Sequence, residues 1–226
     1  MSTFQKLFSE SVAFSIAKQQ ALGKYLGEHT WNVNLEKGIV DFDEGRIFPI
    51  QLLGSESESE GTWLWAWANT QSDIPPALLS DANKLRSIGE KQQIDFFTNA
   101  EVPLSEVSGH EIGLLASGLC EADCYYHGSR DGGAVVFLIY ETPLAKIPEL
   151  MPQQVAMVLA SVIQNFVTDN RLMVASFFKS LGHAVEENET SITGKLSGET
   201  DLVVEFDELE RIIRIETVVN PTKQEG

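Results

Sequence analysis

The feature that most constrains the fold is a short stretch in which tryptophan occupies every second position, at Trp63, Trp65 and Trp67. A period of two is the geometry of a β-strand, which places successive side chains on opposite faces. We therefore expect a strand over residues 62–68 with three indoles on one face. These indoles either form the core of the sheet or line an apolar pocket or partner-binding surface. We prefer the core, because neighbouring exposed indoles promote aggregation.

The first part of the chain predicts further strands. Alternating apolar residues over 31–42, interrupted by a glycine-containing turn, indicate a hairpin. A third strand is expected over 46–54. Pro49 cannot donate a ladder hydrogen bond, so this strand lies at a sheet edge or carries a bulge. Serine and glutamate alternate over 55–61, and we expect a solvated link there.

Helical periodicity appears from the amino terminus to about Gly27, over 75–89 and over 108–119. Two strands then follow, over 124–126 and over the continuous apolar run 134–140. A turn that contains two glycines joins them. Because the second run is apolar at every position, we expect it to be buried on both faces as the central strand of the sheet.

Proline recurs between residues 141 and 152, which predicts a boundary between two domains. These would be residues 1–150 and 151–226, and they either stand alone or pack as one unit. The second contains two helices with apolar faces and a hairpin whose strands alternate over 202–206 and 213–219. The chain is thus expected to be an α+β protein, with an antiparallel sheet flanked by helices and a carboxy-terminal helix-plus-β-hairpin module.

The chain carries 33 acidic and 16 basic side chains, for a formal charge of -17. Such a charge repels a phosphate backbone, so nucleic-acid binding is not expected, whereas a basic protein partner would be attracted. Acidity is also an ordinary route to solubility. Two cysteines are too few to staple a secreted chain of this size, which favours the cytoplasm. We expect no signal peptide, and the chain has no run of about 18 apolar residues, so no membrane association is expected.

Some polar and aromatic residues near the tryptophan strand are candidates for binding a ligand or partner. Asn69 follows that strand, and two adjacent tyrosines lie on a strand that could pair close to it. Their alternative role is at strand ends and in the core. The full set of candidates is Trp63, Trp65, Trp67, Asn69, Tyr125 and Tyr126.

Ser108 and Glu111 have the spacing of a helix capping box, in which each side chain bonds the backbone of the other. This explains the glutamate that follows His110 without any general-base chemistry. The sequence contains no nucleophile elbow, no phosphate-binding glycine loop and no pair of histidines spaced as in zinc proteases. We therefore expect no catalytic residue.

The spacing of Cys120, Cys124 and His127 superficially resembles that of zinc ligands. A strand through this segment would direct the imidazole to the face opposite the thiols, and no second ligand pair lies nearby in the sequence. Buried, inert cysteines are the better interpretation. We expect neither a metal ion nor a cofactor.

Residues 53–55 (Leu-Gly-Ser), together with residues 62–69 (Thr-Trp-Leu-Trp-Ala-Trp-Ala-Asn), resemble the core signature of an uncharacterised bacterial domain family of unknown function. The resemblance extends from Trp31, through residues 89–90, to residues 125–126, and is less clear in the carboxy-terminal module. It implies a bacterial, cytoplasmic setting. It supplies no activity and no catalytic residues.

Three functions are compatible with these patterns. The first is a non-enzymatic binding protein, comparable to an immunity protein or a small acidic chaperone, that engages a basic or partly apolar protein partner. The second is a small-molecule pocket protein or enzyme that uses the tryptophan face and Asn69. The third is a structural or oligomerising component without a ligand. We favour the first, because each candidate site also has a packing explanation.

Overall fold

The computed structural model describes residues 2–147, 149–196 and 200–219. The chain divides into two compact units, which we call the sheet unit (residues 18–147) and the terminal unit (residues 1–17 and 148–226). Each combines helices with an antiparallel sheet, so the predicted α+β class is confirmed. The division into domains at residue 150 stays a prediction.

The first element is a long helix, α1 (Thr3–Leu26), as the apolar periodicity predicted. Its residues up to Ala17 belong to the terminal unit, and those from Lys18 onwards belong to the sheet unit. In the terminal unit, the Phe8 ring meets Phe166 edge-on, with 5.4 Å between ring centroids. Among the helices described, α1 included, none is long and apolar enough to cross a membrane.

The strands described in the sheet unit are β1 (Trp31–Asn34), β2 (Ile39–Phe42), β3 (Arg46–Ser57), β4 (Thr62–Trp65), β5 (Glu101–Pro103), β6 (Cys124–Arg130) and β7 (Gly133–Ile139). They form one antiparallel sheet. Strand β3 is its hub, because it pairs with β2 through its first part, with β4 through its last part and with β7 along 50–57. The predicted hairpins β1–β2 and β6–β7 are confirmed. The apolar run in β7 is buried on both faces, also as predicted.

Strand β3 extends beyond the predicted end at Gly54. Its register against β7 shifts between Leu52 and Gly54, so the strand carries a bulge, which was one of the two alternatives expected from Pro49. The prediction of a solvated link was wrong for its first three residues, because Ser55, Glu56 and Ser57 pair with both β4 and β7. Two partner strands thus override the low-complexity sequence, and the side chain of Glu56 is brought onto the sheet.

The predicted tryptophan strand ends early. Strand β4 stops at Trp65, opposite Gly54 of β3, and a 3₁₀ turn (Ala66–Ala68) follows. The predicted row of three indoles on one strand face was therefore wrong in its third member. Beyond Trp65 no residue of β3 pairs with this segment within the described register, and the backbone closes on itself through the bond from the Asn69 N–H to the Ala66 carbonyl.

The helices of the sheet unit lie between β4 and β6. A 3₁₀ turn (Pro76–Leu79) leads into α2 (Ser80–Gln92), and α4 (Gly109–Leu119) follows later; both helices were predicted. The short helix α3 (Asp95–Thr98) and strand β5 were not predicted. Elements of three or four residues are too short to show a hydrophobic period, so only their packing reveals them.

The terminal unit contains α5 (Pro152–Asn165), α6 (Asn170–Ser180), β8 (Ala184–Glu187), β9 (Ser191–Lys195), β10 (Thr200–Phe206) and β11 (Ile212–Val219). Its described strands form an antiparallel sheet in the order β11-β10-β9-β8. The predicted hairpin is β10–β11, whereas β8 and β9 were missed. Ile213, where the second strand of this hairpin was predicted to begin, is exposed, because Phe206 pairs with Ile212 and a bulge leaves Ile213 outside the ladder.

Candidate functional site

The register of β3, β7 and β6 decides which side chains of the sheet unit share a face. Residues directly opposite each other on neighbouring strands point to the same side. Glu56 is opposite Trp63 and Ala134, and His127 is opposite Val136. Because Ala134 and Val136 are two residues apart in β7, Glu56 and His127 lie on one face. We call it the helix face, since α4 packs against it.

Glu56 and His127 form a partly buried hydrogen-bonded pair on the helix face. The His127 Nε2 atom is 2.7 Å from Glu56 Oε2, and both side chains are 14% exposed. The other carboxylate oxygen, Oε1, accepts a 2.6 Å hydrogen bond from the N–H of Gly109. Gly109 is the first residue of α4, where the helix dipole favours a negative charge. Glu56 is therefore fixed at both oxygens and orients the imidazole.

A second imidazole lies flat on the first. The rings of His110 and His127 are stacked, with 4.1 Å between centroids and 14° between planes, and His110 Nδ1 is 3.1 Å from the hydroxyl of Tyr125. Burial, followed by the charge of the neighbouring His127, lowers the pKa of His110, while Glu56 acts in the opposite direction. Burial also raises the pKa of Tyr125. We call Glu56, His127, His110 and Tyr125 the histidine cluster.

The ring of Tyr125 lies directly over the backbone of α4. A Cβ atom at Gly113 would be 2.2 Å from Tyr125 Cδ2, so only glycine permits this approach. Tyr125 itself is 6% exposed. The capping box that starts α4 is also confirmed, since Ser108 Oγ accepts from the Glu111 N–H and Glu111 Oε2 accepts from the Ser108 N–H. Helix α4 is thus locked in position beneath the cluster.

The cluster has the parts needed to exchange a proton. A carboxylate that holds an imidazole in one orientation is a common arrangement for general-base catalysis. In the described part of the chain, however, the hydrogen bond of the His127 ring goes to Glu56 and that of the His110 ring to Tyr125. No serine hydroxyl or cysteine thiol bonds either ring there. Glu56 and Tyr125 therefore each hold one of the two imidazoles in place.

The tryptophans predicted as site residues are mainly core. Trp63 and Trp65 are fully buried, and their rings meet edge-on at 5.4 Å. Trp65 also packs on Phe97 of α3 and donates its indole N–H to the carbonyl of Phe96. Trp67 is half-buried under the guanidinium of Arg86, which lies 4.3 Å from the ring centroid. None of the three indoles lines the cleft described below.

The two tyrosines predicted as site residues lie on opposite faces of β6. Tyr125 belongs to the histidine cluster on the helix face. The Tyr126 hydroxyl is 3.0 Å from His29 Nε2, and its ring packs at 5.6 Å from Trp31 on the other face. Asn69 lies at neither place, since it lines the cleft. The six predicted candidates are therefore not brought together into one site.

A cleft of about 290 Å³ lies along β3, β4 and β7, and Glu56 of the histidine cluster is among its lining residues. Leu64 and Ser55, which are paired between β4 and β3, both line it. Its volume is near the lower limit of small-molecule pockets, which is about 300 Å³. The lining residues that matter most chemically are Leu35, Leu52, Leu64, Asn69, Arg130 and Asp131.

The histidine cluster and the cleft lie in the segment of the chain that known sequences match. A family model described as a family of unknown function, DUF6882, matches residues 5–142. The chain belongs to this family. The match confirms the resemblance to an uncharacterised domain and leaves out α5, α6 and β8 to β11. No curated protein and no solved structure matches the chain.

The cysteines of this DUF6882 chain are both free and buried. Burial raises the pKa of each thiol to about 12, so neither is a thiolate near neutral pH. Cys124 is opposite Ile139 whereas His127 is opposite Val136, three positions along β7, so the two side chains point to opposite faces. Among the described residues, no group of three or more histidine, cysteine or acidic side chains is placed to hold a metal ion.

Glu56 and His127 were not predicted as a pair. Glu56 lies in a serine-glutamate repeat that is typical of a solvated loop, and His127 was considered only as a zinc ligand. The two are 71 positions apart in the sequence. The one local signal is that Glu56 continues the strand alternation after Gly54, and it becomes informative only once β3 is known to extend that far.

Proposed function

We propose that this DUF6882 chain is a non-enzymatic binding protein that holds a basic, partly apolar segment of a protein partner in the cleft of the sheet unit. The observation that carries the proposal is the mixed lining of the cleft, where Leu35, Leu52 and Leu64 accompany Asp131. A lysine or arginine side chain fits such a lining, because its methylene groups contact the leucines while its charged end meets the carboxylate.

Further carboxylates lie beside the cleft. The N–H of Glu58, in the β3–β4 turn, donates a 3.0 Å hydrogen bond to the carbonyl of Gly132 in the β6–β7 turn. The two turns are therefore adjacent, and Glu58, Glu60 and Asp131 are exposed at this end of the sheet. The charge of -17 on the whole chain adds long-range attraction for a basic partner and accelerates its arrival.

The arginine that lines the cleft, Arg130, offsets only one of the three carboxylates at this end of the sheet. The guanidinium of Arg130 lies 5.2 Å from the centroid of the Trp31 ring, a distance typical of a cation–π contact. Its charge is thus positioned against an aromatic ring at one side of the cleft, while Asp131 and the turn carboxylates supply the opposite sign. The arrangement favours a ligand that carries both a cation and an apolar stem.

The alternative is a small-molecule pocket on the tryptophan face, and it would require buried indoles to become exposed. Trp63 and Trp65 are completely buried, so a ligand could reach them only if they left the core. Each indole would then expose about 150 to 250 Å². We therefore assign binding to the cleft. A bacterial, cytoplasmic setting belongs to the same proposal, and the two free thiols support it.

The test is binding of a short labelled peptide with alternating leucine and lysine, followed by fluorescence anisotropy. The matched control peptide has glutamate in place of lysine. We expect the basic peptide to bind, with affinity that falls as salt rises, since the Debye length shrinks from about 30 Å at 0.01 M to about 10 Å at 0.1 M. The acidic peptide should not bind.

Two serine variants distinguish the cleft from a general charge effect. Ser72 lines the cleft and is exposed, so Ser72→Trp fills it without disturbing the core. Ser105 is exposed in a turn and does not line it, so Ser105→Trp is the control. We expect Ser72→Trp to weaken binding about tenfold, which is about 1.4 kcal/mol, with no change in Ser105→Trp. Equal affinity of both variants, or binding insensitive to salt, would refute the proposal.

A further inference from the structure

Strand β11 forms one edge of the sheet in the terminal unit. It pairs with β10 on one side, and no strand among the described residues pairs with its other side. An eight-residue edge strand presents a row of unpaired backbone donors and acceptors, which is a template for another strand. Natural proteins usually protect such edges with charges or cover them.

The hydrogen-bond pattern shows which residues face outwards. Phe206 of β10 donates its N–H to the carbonyl of Thr190, on the β9 side. Backbone N–H and C=O groups alternate in direction along a strand, so those of Glu205 are directed towards β11. The backbone groups of its partner, Arg214, are therefore directed towards β10. The backbone N–H and C=O of the next residue, Ile215, are consequently directed to the open edge.

Apolar side chains accompany this open edge. Ile213 is 63% exposed and Val219 is 68% exposed, and Val218 is also exposed. Ile215 lies opposite Val204, which is fully buried, so its side chain continues the core side of the sheet up to the edge. Exposed isoleucine and valine on a long edge strand mark a surface that a partner covers.

Arg214 and Glu216 lie on the same side of β11 and form an ion pair within one chain. Their opposite charges favour one self-pairing of the strand. In an antiparallel pair of identical strands centred on Ile215, Arg214 of each copy is directly opposite Glu216 of the other. The same register places Ile215 against itself and Ile212 against Val218. A pairing centred on Arg214 or on Glu216 would instead oppose two like charges, which is destabilising. We propose that β11 is a homodimer interface, through which two copies of this chain join their terminal sheets by a two-fold antiparallel pairing about Ile215.

The dimer is expected to depend on salt in an unusual direction. Two chains of charge -17 repel each other at long range, and this repulsion weakens as the Debye length falls. The Arg214–Glu216 pairs act at short range, where screening by salt is smaller. Measurements therefore belong near physiological ionic strength. The proposal is independent of the cleft, which lies in the sheet unit.

Sedimentation velocity over a range of protein concentrations tests the charge pairing. We expect a reversible dimer for the unmodified chain. Arg214→Glu replaces two attractive pairs between the copies by two repulsive ones and also removes the ion pairs of Arg214 with Glu205 and Glu216 of its own chain. It should raise the dimer dissociation constant about tenfold or more. The exchange Arg214→Glu/Glu216→Arg restores opposite charges across the dimer. It is combined with Glu205→Gln, because Glu205 lies opposite position 214 in β10 and would repel a carboxylate there. This triple variant should restore the dimer, and Glu205→Gln alone should leave it intact. Lys179→Glu, an exposed reversal on α6, should have no effect.

A cysteine cross-link tests the register. Residues opposite each other in a hydrogen-bonded pair have Cα atoms about 5.5 Å apart, which suits a disulfide. Ile215→Cys should therefore form a covalent dimer under mild oxidation. In this register, residue 217 of one copy is opposite residue 213 of the other, four positions away from the second residue 217. Thr217→Cys should therefore form the covalent dimer far more slowly. Both native cysteines are buried and do not compete.

The outcomes are unambiguous when far-UV circular dichroism shows that each variant is folded. A chain that remains monomeric at all concentrations overturns the proposal. A dimer that the charge exchange fails to restore, or equal cross-linking at positions 215 and 217, overturns the register and with it the interface. Restoration together with selective cross-linking at position 215 establishes both.

Discussion

Replacing Gly113 by alanine reverses the ordinary rule for helices, and it does so at the candidate site. Gly113 lies in the middle of α4, where alanine is normally more stable than glycine by about 1 kcal/mol. Here an added Cβ would lie 2.2 Å from Tyr125 Cδ2 and 2.6 Å from Cε2. Carbon atoms in contact are about 3.5 to 4.0 Å apart, so the ring must move by more than about 1 Å.

The tyrosine has little freedom to move. It is 6% exposed, and its hydroxyl is bonded to His110. Overpacking of this kind costs about 1 to 3 kcal/mol. With the gain of about 1 kcal/mol in helix propensity subtracted, we expect Gly113→Ala to lower the free energy of unfolding by about 1 kcal/mol. Gly23→Ala in α1 is the control, because nothing lies within 4 Å of its added Cβ, and it should raise stability.

Urea unfolding followed by far-UV circular dichroism measures both variants. The midpoint should fall for Gly113→Ala and rise for Gly23→Ala, with similar slopes. In a chain that already carries Tyr125→Leu, Gly113→Ala should lower the free energy of unfolding by less than it does in the unmodified chain. This difference would show that the tyrosine ring is the obstacle. If Gly113→Ala is as stable as the unmodified chain, the close packing of Tyr125 on α4 is refuted, and with it the placement of the histidine cluster.

Three shorter predictions concern the same region. Ser108→Ala removes the cap of α4 and should cost about 1 kcal/mol in urea unfolding, with no loss arguing against the capping box. Because the folded-state pKa of His110 is lowered from 6.5, its contribution to stability is present above that pH and is lost as pH falls through the folded-state pKa. NMR titration should show His110 titrating below 6.5. In His110→Gln, the free energy of unfolding should fall less steeply as the pH is lowered. For Cys120 and Cys124, a thiol pKa raised from 9.0 to about 12 stabilises the fold below pH 9.0, and this contribution is lost as pH rises towards 12. Ellman's reagent should therefore react with both thiols only after unfolding.

Local patterns in the sequence determined the elements whose signals lie within a few residues. The capping box at Ser108 predicted the start of α4, and the apolar run in β7 predicted its burial on both faces. The amphipathic helices α5 and α6 and the hairpin β10–β11 were predicted from periodicity alone. In each case the side chains that carry the pattern also make the contacts, so the residue order is sufficient.

Tertiary structure alone decided the elements that depend on a distant partner. Strand β4 ends at Trp65 because its pairing with β3 ends there, although the alternation of tryptophan continues to Trp67. Glu56 becomes a site residue because β4 and β7 draw a loop-like sequence into the sheet and place it beside His127, 71 positions away. Periodicity reports which side of an element is apolar. It carries no information about which strand lies next to it, and that choice determines where the charges of this chain meet.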